Sequence, residues 1–384
     1  MPEKSESVSL LVKIDGKEEI KSTTSGEAWK TTAGAHVVSL TVDMKIDAPD
    51  AFVLQFMASH EGKRTVYDHV KEGSKIELGF GYGQAQPLFE GEVVYVDGEY
   101  SSDGQTPSLV TVRGFEKAHR LHRGHTAKSY GDGKTDMEAG SSVDDSVSTS
   151  GAGIGAAIKA VSDGLSLPKD AAKPKFKTKW APRPTSTTAD FAKNAGQGRE
   201  LDASKSPVVT VCFDRLEGTN PRKSIKVRFS VSTFPSYNKV RVRGWDNATK
   251  QSFVVDVEKC SDKVDSAKAN GWTAGWQHAG KAHWGNSGAG ATYERVGEFC
   301  ENKEEAQELA QSLFDQMALK HFTGECEVQG DPGIIPGAVV ELKGFGPRAS
   351  GKVMVTEATH MISSQGLPYI TAFKFASTAS GNPT

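Results

Sequence analysis

Short runs that alternate apolar and polar residues recur in both halves of the chain, and they limit the folds it can adopt. Residues 8–14 and 36–46 show this period of two near the start, and residues 351–359 and 369–375 show it near the end. Because residues two apart share one face of a strand, each run is typical of a half-buried β-strand. Many of the 40 glycines fall between such runs, where they favour turns. The pattern predicts a mainly β protein with minor α content.

The first 125 residues predict a compact β-barrel or sandwich. Residues 75–80, 88–96 and 109–112 continue the alternation, separated by turn signals such as Asp97-Gly98. Short strands at this spacing are typical of small closed β folds. Residues 50–58 break the alternation with a dense apolar patch, and there we predict one short helix.

The composition changes between residues 126 and 206, which are rich in Ser, Ala, Lys and Pro. Only residues 153–165 show a weak helical pattern, and the remainder is typical of an extended linker or insertion. Because so long a structureless loop is unusual inside one domain, we interpret 126–206 as a boundary region. A second β-rich domain is then expected over 207–376, followed by a short tail at 377–384.

One helix is expected within the second domain, over residues 303–321. Asn302 can cap it, and Glu305 stands three residues later, as a capping box requires. One face carries an apolar stripe at helical spacing, which we interpret as a packing face. The stripe consists of Ala306, Leu309, Ala310, Leu313, Phe314 and Met317.

Charge and cysteine usage argue against several classes of function. The net charge is −2 with acids and bases interspersed, whereas a nucleic-acid binder normally shows a basic stripe. The four cysteines are widely spaced and form no CxxC pair, which argues against a zinc ribbon or a thioredoxin-like site. With no secretory signal or apolar run of about 18 residues, we expect synthesis and assembly in the cytoplasm, with free thiols.

Three groups of residues are candidate chemical sites, and none is expected to be catalytic, cofactor-binding or metal-binding. His119, His122 and His125 have a spacing that could hold a metal on a helix, but flanking arginines and Gly124 favour a solvated basic turn. The glycines of residues 79–83 lack the helix and Lys-Ser/Thr of a phosphate loop, so we expect a hairpin.

A trio of carboxylates is the remaining group. Asp43, Asp47 and Asp50 could be imagined as an acid pair for glycoside hydrolysis. We expect them instead on the exposed face of a strand.

A distinctive run, Arg243-Gly244-Trp245-Asp246, lies inside a predicted hairpin. Gly244 would permit close backbone approach, Trp245 would be a large buried anchor, and Asp246 with Asn247 would turn the chain. This run resembles the hairpin of phage late control D proteins and of the VgrG-type hubs of contractile injection systems.

Two further blocks carry the same resemblance. The stronger lies between residues 330 and 360, after the predicted helix, where Val353 replaces the usual aromatic residue. It matches at Gly330, Asp331, Pro332, Pro336, Gly337, Val339, Leu342, Gly344, Gly346, Ser350, Gly351, Val355 and His360. The weaker is residues 89–93, around Gly91, together with residues 112–114. We expect His360 to be a packed polar residue and not a ligand.

The resemblance implies a structural baseplate hub with two tube-like β-barrels per subunit and no cofactor. Three subunits would form a homotrimeric ring that joins a hexameric inner tube protein to a trimeric spike protein, beside other baseplate proteins. The chain stops soon after Phe375, so the spike is expected to be a separate polypeptide. The particle would be a phage-like tail or an extracellular injection particle.

Two other roles stay open at this point. The first is a baseplate-associated cell-wall hydrolase, for which the sequence offers no catalytic motif. The second concerns residues 126–206, which stand where such hubs have an ordered helical subdomain, and which could bind a cargo effector or a neighbouring baseplate protein.

Overall fold

The structure is a computed structural model of the chain, and it is mainly β with few helices, as predicted. It describes residues 8–22, 36–46, 48–57, 70–101, 108–116, 119, 201–233, 237–246, 250–277, 291–296, 303–364 and 369–381. The predicted boundary region at 126–206 therefore lies outside the described residues up to position 200, as does its helical stretch at 153–165. No helix in these ranges is long and apolar enough to cross a membrane.

Seven strands precede that region and surround one core. They are β1 (Val8–Ile14), β2 (Lys17–Ser22), β3 (His36–Lys45), β4 (Ala51–Met57), β5 (Lys75–Tyr82), β6 (Gln86–Glu99) and β7 (Leu109–Phe115). Their order across the sheet is β3-β4-β7-β6-β5-β1-β2. Alternate residues of β1, β3, β4 and β5 point into this core, which is what the period of two predicted.

The remaining strands and two helices follow it. They are β8 (Val209–Cys212), β9 (Pro221–Val231), β10 (Lys239–Asp246), β11 (Gln251–Val257), α1 (Ser266–Asn270), β12 (Thr292–Val296), α2 (Lys303–Leu319), β13 (Phe322–Gln329), β14 (Val339–Lys343), β15 (Gly351–Ser363) and β16 (Tyr369–Ser377). The helix predicted at 303–321 is confirmed as α2, and five of the six members of its apolar stripe are buried. The cap residue Asn302 lies outside the described residues.

Six of these strands close into a barrel. The order β14-β8-β9-β13-β16-β15 returns to β14 through a second pairing of β15. The barrel core includes Phe322, Cys326, Phe373 and Phe375. The predicted second barrel is therefore present, although the Arg243–Asp246 hairpin does not belong to it.

That hairpin forms a separate three-stranded sheet between β9 and β13 in the chain. The sheet order is β11-β10-β12, with β10 and β12 parallel. Helix α2 covers one face, where Val240, Val242 and Val255 pack against Phe314 and its neighbours in the helix. The 207–376 segment thus holds a barrel and a small α/β unit.

Strand β15 connects the barrel to the N-terminal strands. Residues 351–354 pair with β14 and close the barrel. Residues 357–363 of the same strand pair with β3. One continuous sheet of 13 strands results, so β15 is a shared wall between the two lobes.

Two local predictions in the N-terminal lobe are wrong. Residues 51–57 form the strand β4 and not a helix. This strand pairs with β3 on one side and β7 on the other, and only Phe52, Leu54 and Phe56 point into the core. Its other face is half-buried and also apolar at Val53. The sequence therefore shows a nearly continuous apolar run instead of an alternation of apolar and polar residues. Asp97-Gly98 is likewise not a turn, because β6 continues through both residues.

Candidate functional site: the junction between the two lobes

The loop that follows β13 is fixed at the junction by a buried carboxylate. Asp331 accepts hydrogen bonds from Asn220 Nδ2 at 2.6 Å and from Arg222 Nη2 at 2.9 Å. Its other oxygen accepts from the backbone N–H of Gly333 at 2.9 Å. Because charged donors roughly double the strength of such bonds, Asp331 ties this loop firmly to the start of β9.

A chain of polar side chains continues from this loop into β15 and β16. His360 is fully buried, and its Nε2 lies 3.0 Å from the carbonyl oxygen of Ile334. A carbonyl only accepts, so Nε2 carries the proton and Nδ1 is the acceptor. Nδ1 lies 2.9 Å from the hydroxyl of Tyr369 and 3.2 Å from that of Thr371. Thr371 in turn accepts the backbone N–H of Asp331 at 3.0 Å.

Burial keeps this chain uncharged at His360. Desolvation lowers the pKa of His360 to about 4, only partly offset by the Ile334 carbonyl and Asp331. Desolvation also raises the pKa of Tyr369 above its ordinary value. His360 is thus a packed polar residue with two fixed ring nitrogens, as the sequence predicted.

Tyr369 connects this polar chain to the N-terminal core. Its ring lies 5.7 Å from the ring of Phe80 and 5.9 Å from that of Tyr82. The ring occupies the space beside Gly330, where any Cβ would overlap it. Gly330 is therefore required for close approach, and its place in the signature has a physical reason.

The other signature residues of this block shape the same loop and its exit. Pro336 is buried, and Gly337 has φ +85°, a left-handed conformation that favours glycine. The Gly337 N–H donates to the carbonyl oxygen of Val355 at 2.8 Å, which holds the loop against β15. At the start of β15, Gly351 makes room for the ring of Trp272.

Gly91 has a comparable role in the N-terminal lobe. It lies on β6, where a Cβ would come within 2.6 Å of the Phe89 ring. The Phe89 ring in turn lies 5.2 Å from that of Phe52. Gly91 therefore serves packing in the N-terminal core.

The Arg243–Asp246 run behaves differently from the prediction. Trp245 is 53% exposed, so its expected role as a buried anchor is wrong. Residues alternate across β10, and the buried face takes Val240 and Val242. The ring that packs beside Gly244 belongs to Phe253 of β11, which leaves Trp245 on the opposite, solvent-facing side.

Arg243 shares that outer face, where its side chain pairs with Glu294 of β12. Asp246 is the last residue of β10, and the predicted turn residue Asn247 lies outside the described residues.

The glycine-rich hairpin and the histidine cluster have separate outcomes. The glycines at 79–83 connect β5 to β6 as a hairpin, as predicted. His119 is buried, with Nδ1 2.7 Å from the Glu116 carbonyl and its ring 5.8 Å from that of Phe115. The expected solvated turn is therefore wrong at His119, while His122 and His125 lie outside the described residues.

The three carboxylates differ in their surroundings. Asp43 accepts from the hydroxyl of Thr359 at 2.7 Å. Asp50 is fully buried, so its expected exposure is wrong. It lies in the turn before β4, where its carboxylate accepts a hydrogen bond from the backbone N–H of Lys45. Asp47 lies outside the described residues. Within the described ranges, no group of three or more His, Cys, Asp or Glu side chains could hold a metal.

Sequence reasoning missed four members of the junction. Tyr369 and Thr371 are predicted only as part of the strand over 369–375, and the sequence gives no role to Asn220 or Arg222. Their signal is weak: a Tyr and a Thr at alternate positions of β16 look like ordinary strand residues. Only the positions of β9 and the 330–338 loop reveal that they share one network.

Comparisons with known proteins agree with this architecture. A tail protein of prophage MuSo2 from Shewanella oneidensis has a TM-score of 0.55 and 13% identity, covering 97% of this chain and 99% of that one. A tail protein from Neisseria meningitidis MC58 gives the same TM-score and identity, covering 96% of each chain. The chain has the fold of phage tail proteins.

Further comparisons are less close. A component of the type VI secretion system of E. coli has a TM-score of 0.39 and 10% identity, covering 97% of this chain and 79% of that chain. The family model described as the Alg8 N-terminal domain matches residues 224–364, which is less than half of the chain. No curated protein matches the sequence of this chain.

Proposed function

We propose that the protein is the structural hub of a phage-like tail or contractile injection baseplate. The observation that carries this proposal is the tail-protein fold, which extends over almost the whole of this chain and of both relatives. In this role three copies form a ring that joins the hexameric inner tube protein to a trimeric spike protein.

The junction supports this structural role. Two lobes that belong to two barrels of a ring must keep a fixed relative orientation. Strand β15 is shared between them, and the Asp331 and His360 contacts lock the loop above it. A satisfied buried polar network of this kind favours one geometry over its alternatives.

The proposed role is structural and not catalytic. The signature residues serve packing and loop geometry: Gly330 and Gly351 accommodate rings, and Asp331 is used by Arg222 and Asn220. The polar groups of the junction are thus engaged in structural contacts, whereas a catalytic site would need them to contact a substrate.

Pull-down with the tube and spike proteins of the same particle tests the proposal. The tagged chain should retain both partners, and retention of neither would contradict the hub role. A peptidoglycan zymogram separates the alternative function. We expect no clearing, whereas clearing that disappears in a folded Asp43→Asn variant would favour the hydrolase.

A further inference from the structure

Strand β6 has an open edge along its second half. Residues 86–92 pair with β5 and residues 92–99 pair with β7, on the opposite side. Beyond Glu92 on the β5 side, only Val93 has a described backbone partner, through Gly73 and Ser74. Within the described ranges, residues 94–99 thus present unpaired backbone groups along that side. We name them the acidic edge.

The acidic edge has a polar outer face and a less polar inner face. Tyr95, Asp97 and Glu99 alternate on the outer side, where Tyr95 is 57% exposed. Asp97 makes one partner contact, a 3.7 Å ion pair with the exposed Arg113. Val96 and Gly98 face the other way, opposite Val112 and Val110 of β7.

Strand β9 has a second open edge. It pairs with β13 along most of its length, but with β8 only at residues 221–223. In the part of the chain that the structure describes, residues 224–231 have no strand on their other side. We name them the basic edge.

The basic edge has the complementary pattern. Lys226 and Arg228 point outward toward Glu327 and Glu325 at 4.0 and 3.7 Å, and the Arg228 side chain is 81% exposed. Val227 and Phe229 occupy the alternate positions, and Phe229 remains 41% exposed although its ring lies 5.9 Å from that of Phe322.

We propose that the acidic edge of one copy pairs as a strand with the basic edge of the next copy. In a shared sheet the two outer faces become continuous, so Asp97 and Glu99 come beside Lys226 and Arg228. Opposite charges on neighbouring strands stabilise such a pair. On the inner side, Val96 comes beside Val227 and Phe229, which covers apolar surface that one copy leaves exposed.

Pairing of the acidic edge with the basic edge is more favourable than pairing of two like edges in an isologous dimer. Pairing two acidic edges or two basic edges would place like charges opposite each other, which is destabilising. Pairing of unlike edges is heterologous, and it generates a closed ring when the rotation closes. This inference rests on the proposed ring, and it names the surfaces that form it. It also explains how two open edges avoid uncontrolled pairing.

Charge reversal tests the pairing by light scattering on the purified full chain. One variant carries Asp97→Lys and Glu99→Lys, a second carries Lys226→Glu and Arg228→Glu, and a third carries all four changes. The wild type should have about three times the chain mass of 41.1 kDa. Each double variant should raise the ring dissociation constant at least about tenfold, one decade corresponding to about 1.4 kcal/mol. The fourfold variant should recover the ring.

Lys374→Glu is the matched control. Lys374 lies on β16, pairs with Glu357 at 2.9 Å and shares the outer face, but β16 has neighbours on both sides. This variant should remain a ring, and circular dichroism should show all variants folded. Rings in both double variants as stable as wild type would overturn the edge pairing while leaving the hub role intact. Failure of the fourfold variant to recover would also overturn it. A wild type that stays monomeric even with its tube and spike proteins would contradict the hub itself.

Discussion

The lobe junction and the three-stranded sheet both place an aromatic ring beside a glycine, but with opposite consequences for the signature around it. At the junction, Gly330 admits the ring of Tyr369, and the neighbouring Asp331 is drawn into a buried network. In the small sheet, Gly244 admits the ring of Phe253, and the neighbouring Trp245 is turned to solvent. In both places the glycine makes room for a ring from another strand, and at Gly244 that ring is not the neighbouring Trp245.

The largest expected effect is at Gly330. A Gly330→Val side chain would overlap the Tyr369 ring, which is held by Phe80 and by His360. We expect a loss of about 3 kcal/mol or more in the free energy of unfolding, since overpacked cores cannot relax fully. Urea unfolding measures it. A loss below about 1 kcal/mol would show that the junction is not rigid.

Removal of the Asp331 carboxylate should lower the free energy of unfolding slightly less than Gly330→Val does. Asp331→Ala leaves Arg222 and Asn220 without their acceptor. Because Arg222 keeps some contact with solvent, we expect a loss of about 2 to 3 kcal/mol in the free energy of unfolding, somewhat below the roughly 3 to 5 kcal/mol for a fully buried pair. Arg222→Met at the other end should cost less than Asp331→Ala. The reverse order would contradict the central position of Asp331.

The junction should also give the protein a specific dependence on pH. The native state holds His360 neutral with a pKa of about 4, whereas an unfolded histidine has a pKa of about 6.5. As the pH falls from 6.5 to 4, only the unfolded state gains this proton, so stability is full above 6.5 and is lost across that window. The loss should approach about 3 kcal/mol.

Unfolding of a His360→Gln variant at several pH values isolates this effect. The variant is expected to be less stable at pH 7 but to show a shallower loss down to pH 4. Parallel curves for variant and wild type would exclude His360 as the source of the slope.

The smallest effects are expected in the three-stranded sheet, where adjacent residues should differ. Gly244→Val would overlap the Phe253 ring and should cost about 2 kcal/mol. Trp245→Ala removes an exposed side chain and should change stability by less than about 0.5 kcal/mol. Thermal unfolding of both variants checks the contrast. A large loss for Trp245→Ala would restore its role as a buried anchor.

Periodicity predicts much of this fold, because alternation is a local consequence of burying one face of a strand. The strands β1, β3, β5 and β7 follow that rule, and α2 follows the helical one. Strand β4 escapes it because its second face is half-buried and also carries apolar residues such as Val53. The buried face of β10 is not predicted either, because a run such as Arg243–Asp246 does not indicate which side of the strand packs against α2.

Only some residues of the candidate site can be predicted from the sequence. Gly330, Asp331 and His360 stand out as a resemblance, but the partners that give them a role come from β9 and β16, far away in the chain. Asn220 and Asp331 are 111 residues apart. No local pattern encodes that contact, because it depends on barrel closure.

The position of the chain in an assembled particle tests the hub role most directly. Tail particles assembled with a tagged copy can be imaged by electron cryo-microscopy with a label on the tag. The account predicts three copies per particle, at the point where the inner tube meets the spike. Label along the shaft, or particles that assemble fully without the chain, would contradict it.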